Sequence, residues 1–326
     1  MAGGASSYNF FAMRHRSFPL DLAAIIATAL AIVGSLWFPD LIDAGKYYVL
    51  GLVMLTVGIP HGAVDHIISA KLYNLSNSLK DQITFYIPYL ALMLLMGIIW
   101  YLSPKVGFLI FIGCTVYHFG QADLIYLALP STLKNILYLS RGFMIMGLLI
   151  FIHPSTTFPI METIAGFTLS ESTFWSNYPL LIGAIMAIQH LVFVGVAVFF
   201  YRSKASIEPW YILGDSLLIT ALFTFTEPIT AFAIYFACWH SIGHIKELIS
   251  FFQTEDTDWS LITFYKHSWL FTLISFLGLA LLYWINQAFG SDLQMLAMLL
   301  ILISVLTLPH MLVVEVLFKN NNPATS

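Results

Sequence analysis

Ten stretches of this chain are apolar enough to cross a lipid bilayer, and little polar sequence is left between them. A transmembrane helix needs about 20 mainly apolar residues. Runs of about that length occupy residues 20–38, 47–69, 83–102, 105–127, 133–152, 178–201, 210–226, 227–252, 268–289 and 292–318. Only 9% of the 326 residues are charged, whereas a soluble domain carries roughly 25%. Backbone groups in lipid have no water to bond to, so the chain must satisfy them itself, and helices do this most simply. The expected fold class is therefore all-α: a polytopic integral membrane helix bundle of about ten transmembrane helices. The expected organisation is an N-terminal tail over 1–19, a single transmembrane domain over 20–318 and a C-terminal tail over 319–326.

Lysine and arginine test that count independently. With the N-terminus inside, the inner ends hold Arg14, Arg16, Lys71, Lys80, Lys134, Arg202, Lys204, Lys246, Lys266 and Lys319. The outer ends hold Lys46 and Lys105, and Arg141 falls within the fifth run. Ten against two is the bias expected of a chain in the cell (inner) membrane with both termini cytoplasmic. The first run follows Arg14 and Arg16 without a small-residue cleavage site, and so reads as a retained signal anchor. Net charge near −4 and the lack of a basic arm argue against nucleic acid. Cys114 and Cys238 lie in apolar runs and read as small core residues. The outer loop 153–177 has no Lys or Arg and is expected to be an interfacial or polar connection.

Seven of the ten histidines fall inside the apolar runs: His61, His66, His118, His190, His240, His244 and His310. Burying an imidazole in lipid costs free energy unless something partners it, and a shared metal ion is one such partner. His240 and His244 are four residues apart, which puts both on one helix face. His61, His118, His190 and His240 each lie about 12 to 14 residues into runs that all cross from outside to inside. His244 and His310 lie about one turn deeper. Imidazoles at one depth on parallel helices can converge on one centre. His61 and His66 are about 140° apart around a helix, so they do not serve one metal together. An isolated intramembrane histidine such as His190 is more often an interhelical hydrogen-bonding group, and that reading stays open for His310 as well. Candidate supporting partners are Asp65, on the face of His61, Gln121, one turn from His118, and Glu247, one turn from His244. Asp123 is a candidate partner of Arg141, and Pro60 and Pro309 each precede a histidine where a kink would aim it inward.

The motifs GIPHGAVDH (58–66), YHFGQAD (117–123) and CWHSIGH (238–244), in this order on separate runs, are recognisable. They resemble the Brp/Blh family of membrane β-carotene 15,15′-dioxygenases, over about residues 47–318. The resemblance implies an iron enzyme that cleaves the central double bond of β-carotene with O2 to give two retinals. It implies His61, His118, His240 and His244 as catalytic metal ligands and Fe(II) as cofactor; the depth argument reaches the same four, with His190 and His310 as additional candidates. Four neutral imidazoles suit Fe(II) and leave coordination positions open. β-Carotene would enter from membrane lipid, and retinal would pass to a rhodopsin apoprotein. Ile59 stands where a leucine is more usual before Pro-His-Gly.

Other classes fit less well. Membrane desaturases and hydroxylases also use His-x-x-x-His, but add adjacent histidine pairs that this chain lacks. A metal transporter needs polar ligands from one face to the other, rather than at one level. A b-type haem needs two axial histidines on facing helices, which this chain has. A retinal-binding pigment needs a mid-span lysine, which it lacks.

Overall fold

The structure, a computed structural model, describes residues 22–76, 78–127, 129–201, 209–254, 257–288 and 295–320. The tail 1–19 with Arg14 and Arg16, the residues Arg202 and Lys204, and the tail beyond 320 lie outside the described residues. Among the described residues all regular structure is helical. The helices are α1 (Leu22–Trp37), α2 (Pro39–Val53), α3 (Ile59–Gly62), α4 (Asp65–Leu72), α5 (Leu79–Leu102), α6 (Pro104–Leu124), α7 (Ser131–Phe151) and α8 (Pro154–Ala165). They continue with α9 (Thr173–Asn177), α10 (Pro179–Tyr201), α11 (Pro209–Phe225), α12 (Pro228–Tyr235), α13 (Ile242–Gln253), α14 (Leu261–Ala288) and α15 (Met295–Asn320). Two π turns are spliced in: Met54–Gly58 joins α2 to α3, and Phe236–Ser241 joins α12 to α13.

Helix occupies each of the ten apolar runs. Six segments are long and apolar enough to cross a membrane: Pro39–Leu72, Leu79–Leu102, Ser131–Phe151, Pro179–Phe200, Leu261–Ala288 and Met295–Phe318. The other four are less apolar or shorter for identifiable reasons. The helices α1 and α11 have only 16 and 17 residues. The helix α6 spends His118, Gln121 and Asp123 on the interior, and α12–α13 spends His240, His244 and Glu247.

Prolines open α2, α6, α8, α10, α11 and α12, where the missing N–H would have had no helical partner anyway. Between α11 and α12 the chain turns at Glu227, whose carboxylate accepts from Thr230 N at 2.8 Å and caps α12. That cap is why two helices meet there with almost no loop. The expected outer connection is largely helical: α8 packs on α6, α7 and α15, and ends at Gly166 in the left-handed region, φ 66°.

The helix α7 is the central one, packed against α6 on one side and α10 on the other. Glycine sets the α6–α7 approach. A Cβ on Gly120 would stand 1.8 Å from Tyr138 O, and one on Gly142 would stand 1.8 Å from Val116 O. Small residues let membrane helices approach this closely and gain dispersion contacts. The helices α5 and α14 are peripheral and mostly exposed. Trp100 ties α5 to α15 by donating from Nε1 to Ser304 Oγ at 2.5 Å.

Candidate metal centre

Five histidines from four parts of the chain meet in the interior: His61 on α3, His118 on α6, His240 in the second π turn, His244 on α13 and His310 on α15. All five are buried. Four of the rings form a closed cycle. Centroids are 5.0 Å apart for His61–His240, 4.9 Å for His240–His118, 5.2 Å for His118–His310 and 5.1 Å for His310–His61. His244 sits beside the His61 and His310 edge of the cycle, at 5.6 and 5.5 Å. Every one of these contacts is edge-to-face.

Two π turns set this geometry. Met54–Gly58 ends three residues before His61, and Phe236–Ser241 contains His240. A π turn inserts one residue into a helix, which re-aims the side chains beside it, and such turns gather at functional sites. The two turns pack together: a Cβ on Gly58 would stand 3.0 Å from Phe236 Cε1. Gly62 has a similar role, since its Cβ would lie 3.4 Å from His310 Nδ1. The glycine of Pro-His-Gly thus leaves space for the ring of α15.

The donor set suits a transition metal. A metal–nitrogen bond of about 2.1 Å, with the ring centre about 1.1 Å beyond, puts neighbouring ring centres about 4.5 Å apart at a right angle and about 5.2 Å at a tetrahedral angle. The observed 4.9–5.6 Å lies within and just outside that range. Among the described residues no three His, Cys, Asp or Glu groups already form a ready-made ligand set, so closing on an ion requires the rings to turn slightly inward. The nitrogens give that turn a driving force. Both ring nitrogens of His118, Nδ1 of His240 and Nε2 of His310 are buried without a hydrogen-bond partner. Each such group costs about 1–3 kcal/mol when left unsatisfied.

The supporting residues fall differently from the expectation. Asp65 does not orient His61. The chain turns at Ala63 (φ −71°, ψ −3°) and Val64 (φ −105°, ψ 7°), which breaks the helix between the two and removes their shared face. Asp65 instead lies 2.9 Å from His310 Nδ1 and accepts from Tyr89 OH at 2.9 Å. His61 Nδ1 lies 3.3 Å from Val57 O. Gln121 points away from His118 to donate to Glu315, and lies 3.4 Å from Tyr117 OH. Glu247 is buried on α13, one turn beyond His244. Glu315 is absent from the expected partners, although a carboxylate inside an apolar 26-residue helix is itself a signal.

His190 lies in a second polar cluster. Ser140 Oγ is 2.9 Å from its Nδ1, and Ser216 Oγ is 3.3 Å from its Nε2. Arg141 anchors this cluster, donating from Nε to Asp123 at 2.9 Å, from Nη1 to Ser216 at 2.9 Å, and to Asp215. Tyr235 OH donates to Asp123 at 3.3 Å and Trp239 Nε1 to Asp215 at 2.6 Å, which fixes the segment that carries His240.

A cavity of about 470 Å³ opens on the histidines. His61, His118, His240 and His310 line it, while His244 does not. His66, Asp65 and Tyr89 also border it, and the rest of the wall is mostly apolar: Phe111, Met161 and Phe232 contribute, with Phe85 and Tyr86 on α5 and Phe271 and Ile274 on α14. The helix α8 supplies Thr157, Ile160, Met161 and Ile164. The four aliphatic hydroxyls on the lining all donate to backbone carbonyls: Thr115 at 2.8 Å, Thr157 at 2.6 Å, Ser275 at 2.9 Å and Thr307 at 2.7 Å.

Residues 52–318 match the protein-family model described as beta-carotene 15,15′-dioxygenase. A beta-carotene 15,15′-dioxygenase of uncultured marine bacterium 66A03 is 24% identical over 274 residues, covering 83% of this chain and 93% of the relative. A probable beta-carotene 15,15′-dioxygenase of Halobacterium salinarum is 24% identical over 313 residues, covering 89% of each. No solved structure matches this chain.

Proposed function

The chain belongs to the β-carotene 15,15′-dioxygenase family, and we propose that it cleaves the central double bond of β-carotene with O2 to give two molecules of retinal. The observation that carries this reading is a ring of buried histidines opening into a cavity with almost wholly apolar walls. The reaction balances without a reductant: the 15,15′ carbon–carbon bond breaks, and each carbon takes one oxygen atom as an aldehyde.

His61, His118, His240 and His244 hold Fe(II) in this reading, and bound iron supplies the activation of O2. The protein does the rest. A hydrocarbon offers no polar handle, so Phe111, Met161, Phe232, Phe271 and Ile274 recognise it by shape and apolar contact. Phe119 and Phe236 pack against His240, with ring centroids 4.6 and 5.1 Å away, and keep water from the centre. Central cleavage depends on how far the chain lets each half of the substrate pass the histidines. The bundle crosses the cell membrane ten times with both termini inside, β-carotene enters from lipid, and retinal leaves by lipid to a rhodopsin apoprotein.

Expression in a β-carotene-accumulating bacterium tests the reading. Extracted pigments, resolved beside a His240→Ala control, should show β-carotene lost and retinal gained only with the unchanged chain. Intact β-carotene beside membrane-inserted, iron-loaded protein would refute it.

A further inference from the structure

We propose that His310 is a fifth donor of the metal centre, oriented by Asp65, which Tyr89 in turn holds. The proposal rests on the metal reading above and concerns which residues of this chain complete the site.

Three independent observations converge on His310. Its ring closes the cycle with His61 and His118, at 5.1 and 5.2 Å, and lines the cavity where His244 does not. Its Nδ1 edge faces Asp65, at 2.9 Å from Oδ1 and 3.1 Å from Oδ2. Its Nε2, at the opposite side of the ring, is buried and has no hydrogen-bond partner. A histidine with a carboxylate on one nitrogen and a bare second nitrogen is the arrangement in which an outer carboxylate fixes the tautomer, points the ring and raises its basicity toward a metal. With Nδ1–H donated to Asp65, the Nε2 lone pair is left for the cation.

Asp65 is shaped for this work. It is 3% exposed and also accepts from Tyr89 OH at 2.9 Å, so the carboxylate is held from two helices, α5 and α15. The turn at Ala63 and Val64 swings Asp65 away from His61 and toward α15, and Gly62 leaves room for the imidazole beside it. Pro309 precedes His310 inside α15, where its missing N–H frees the helix to bend. Asp65 and Tyr89 are positioning residues, acting through His310.

The test is anaerobic Co(II) titration of the purified full chain, read by affinity and by the visible bands, whose energy and intensity change with coordination number. His310→Ala should weaken Co(II) binding at least 100-fold and alter the bands, and added imidazole should restore them. Asp65→Asn should weaken binding about 10- to 100-fold with smaller spectral change, and Tyr89→Phe less. His267→Ala, at an exposed ring stacked on Trp259, should leave both readouts unchanged. If His310→Ala does not fold, His310→Gln keeps a donor to Asp65 and reads the same quantity. Native affinity and bands in the His310 variant, beside their loss in His240→Ala, would overturn the proposal and leave the metal reading standing. A native chain that binds no Co(II) would overturn both.

Discussion

His61 and His240 cross at 90° with their ring centroids 5.0 Å apart, and each owes its aim to a π turn. The turns lie on helices far apart in sequence, yet pack against each other at Gly58 and Phe236. One extra residue per turn rotates the downstream side chains by about 100° relative to an uninterrupted helix. The meeting of these rings is therefore written in local helix winding as much as in the histidines themselves.

Replacing either ring removes a donor while the rest of the cluster stays in place. His61→Ala and His240→Ala should each weaken metal binding by more than the roughly 10–100-fold that loss of an outer partner gives. Metal analysis of purified protein, alongside retinal yield, checks this. Full metal content with full activity in either variant would remove that residue from the site.

The glycines of the α6–α7 contact carry a different burden. Gly120 stands two residues after His118, and Gly142 directly follows Arg141. Since an added Cβ would meet backbone at 1.8 Å, Gly120→Ala must push the two helices apart and move His118 with them. Overpacking of this kind typically costs about 1–3 kcal/mol. Thermal unfolding in detergent should drop markedly for Gly120→Ala and for Gly142→Ala, whereas Gly97→Ala, at a site with open space, should be near neutral.

Much of the site's membership was legible because membrane helices translate sequence position into depth. His61, His118 and His240 were expected at one depth with His244 and His310 about one turn deeper, and the structure brings these five rings together. His190 has similar depth but faces the other side of α7, where Ser140 and Ser216 bond it. Depth fixes height and says little about azimuth. The partner of Asp65 was not legible, because helical periodicity relates it to His61 only if the helix runs unbroken through Ala63 and Val64. The role of α8 against the cavity was also hidden, since packing partners depend on neighbours that composition does not name.

Arg141 is fully buried between Asp123 and Asp215, with Ser216 on a third side. Arg141→Met would leave two carboxylates buried without their counter-charge. Breaking such a cluster from one side typically costs about 3–5 kcal/mol. The variant should unfold at a clearly lower temperature. Because Tyr235 and Trp239 hold the same carboxylates, it should also loosen the His240 segment and lower metal affinity. A stability within about 0.5 kcal/mol of the parent would show the cluster to be dispensable.

Topology gives a separate test. With ten crossings, reporter fusions at both ends of the chain should read cytoplasmic, and a fusion in the 153–177 connection should read external. Lys46 lies on α2, bonded to Asp43 at 2.6 Å, and with ten crossings would be one of the two outer lysines. A termini pair on opposite faces would reject the even count and with it the common direction of the histidine-bearing helices.

Carotenoid selectivity should reflect the bonding of the cavity wall. The hydroxyls of Thr115, Thr157, Ser275 and Thr307 already donate to carbonyls and Tyr89 donates to Asp65, so a hydroxylated end ring held away from Tyr86 and His66 would find no free hydroxyl donor along the wall. Burying a hydroxyl without compensation costs about 1–3 kcal/mol in proteins, equivalent to about 5- to 150-fold in rate constant at 25 °C. β-Carotene should therefore be cleaved faster than a dihydroxylated carotenoid of the same length by one such factor for each ring, about 30-fold or more in all, measured as kcat/KM in detergent micelles. A singly hydroxylated carotenoid should fall between them, since only one of its rings carries the penalty. Equal rates for all three would mean that the end rings lie outside the lined cavity, and that selectivity resides at the central double bond alone.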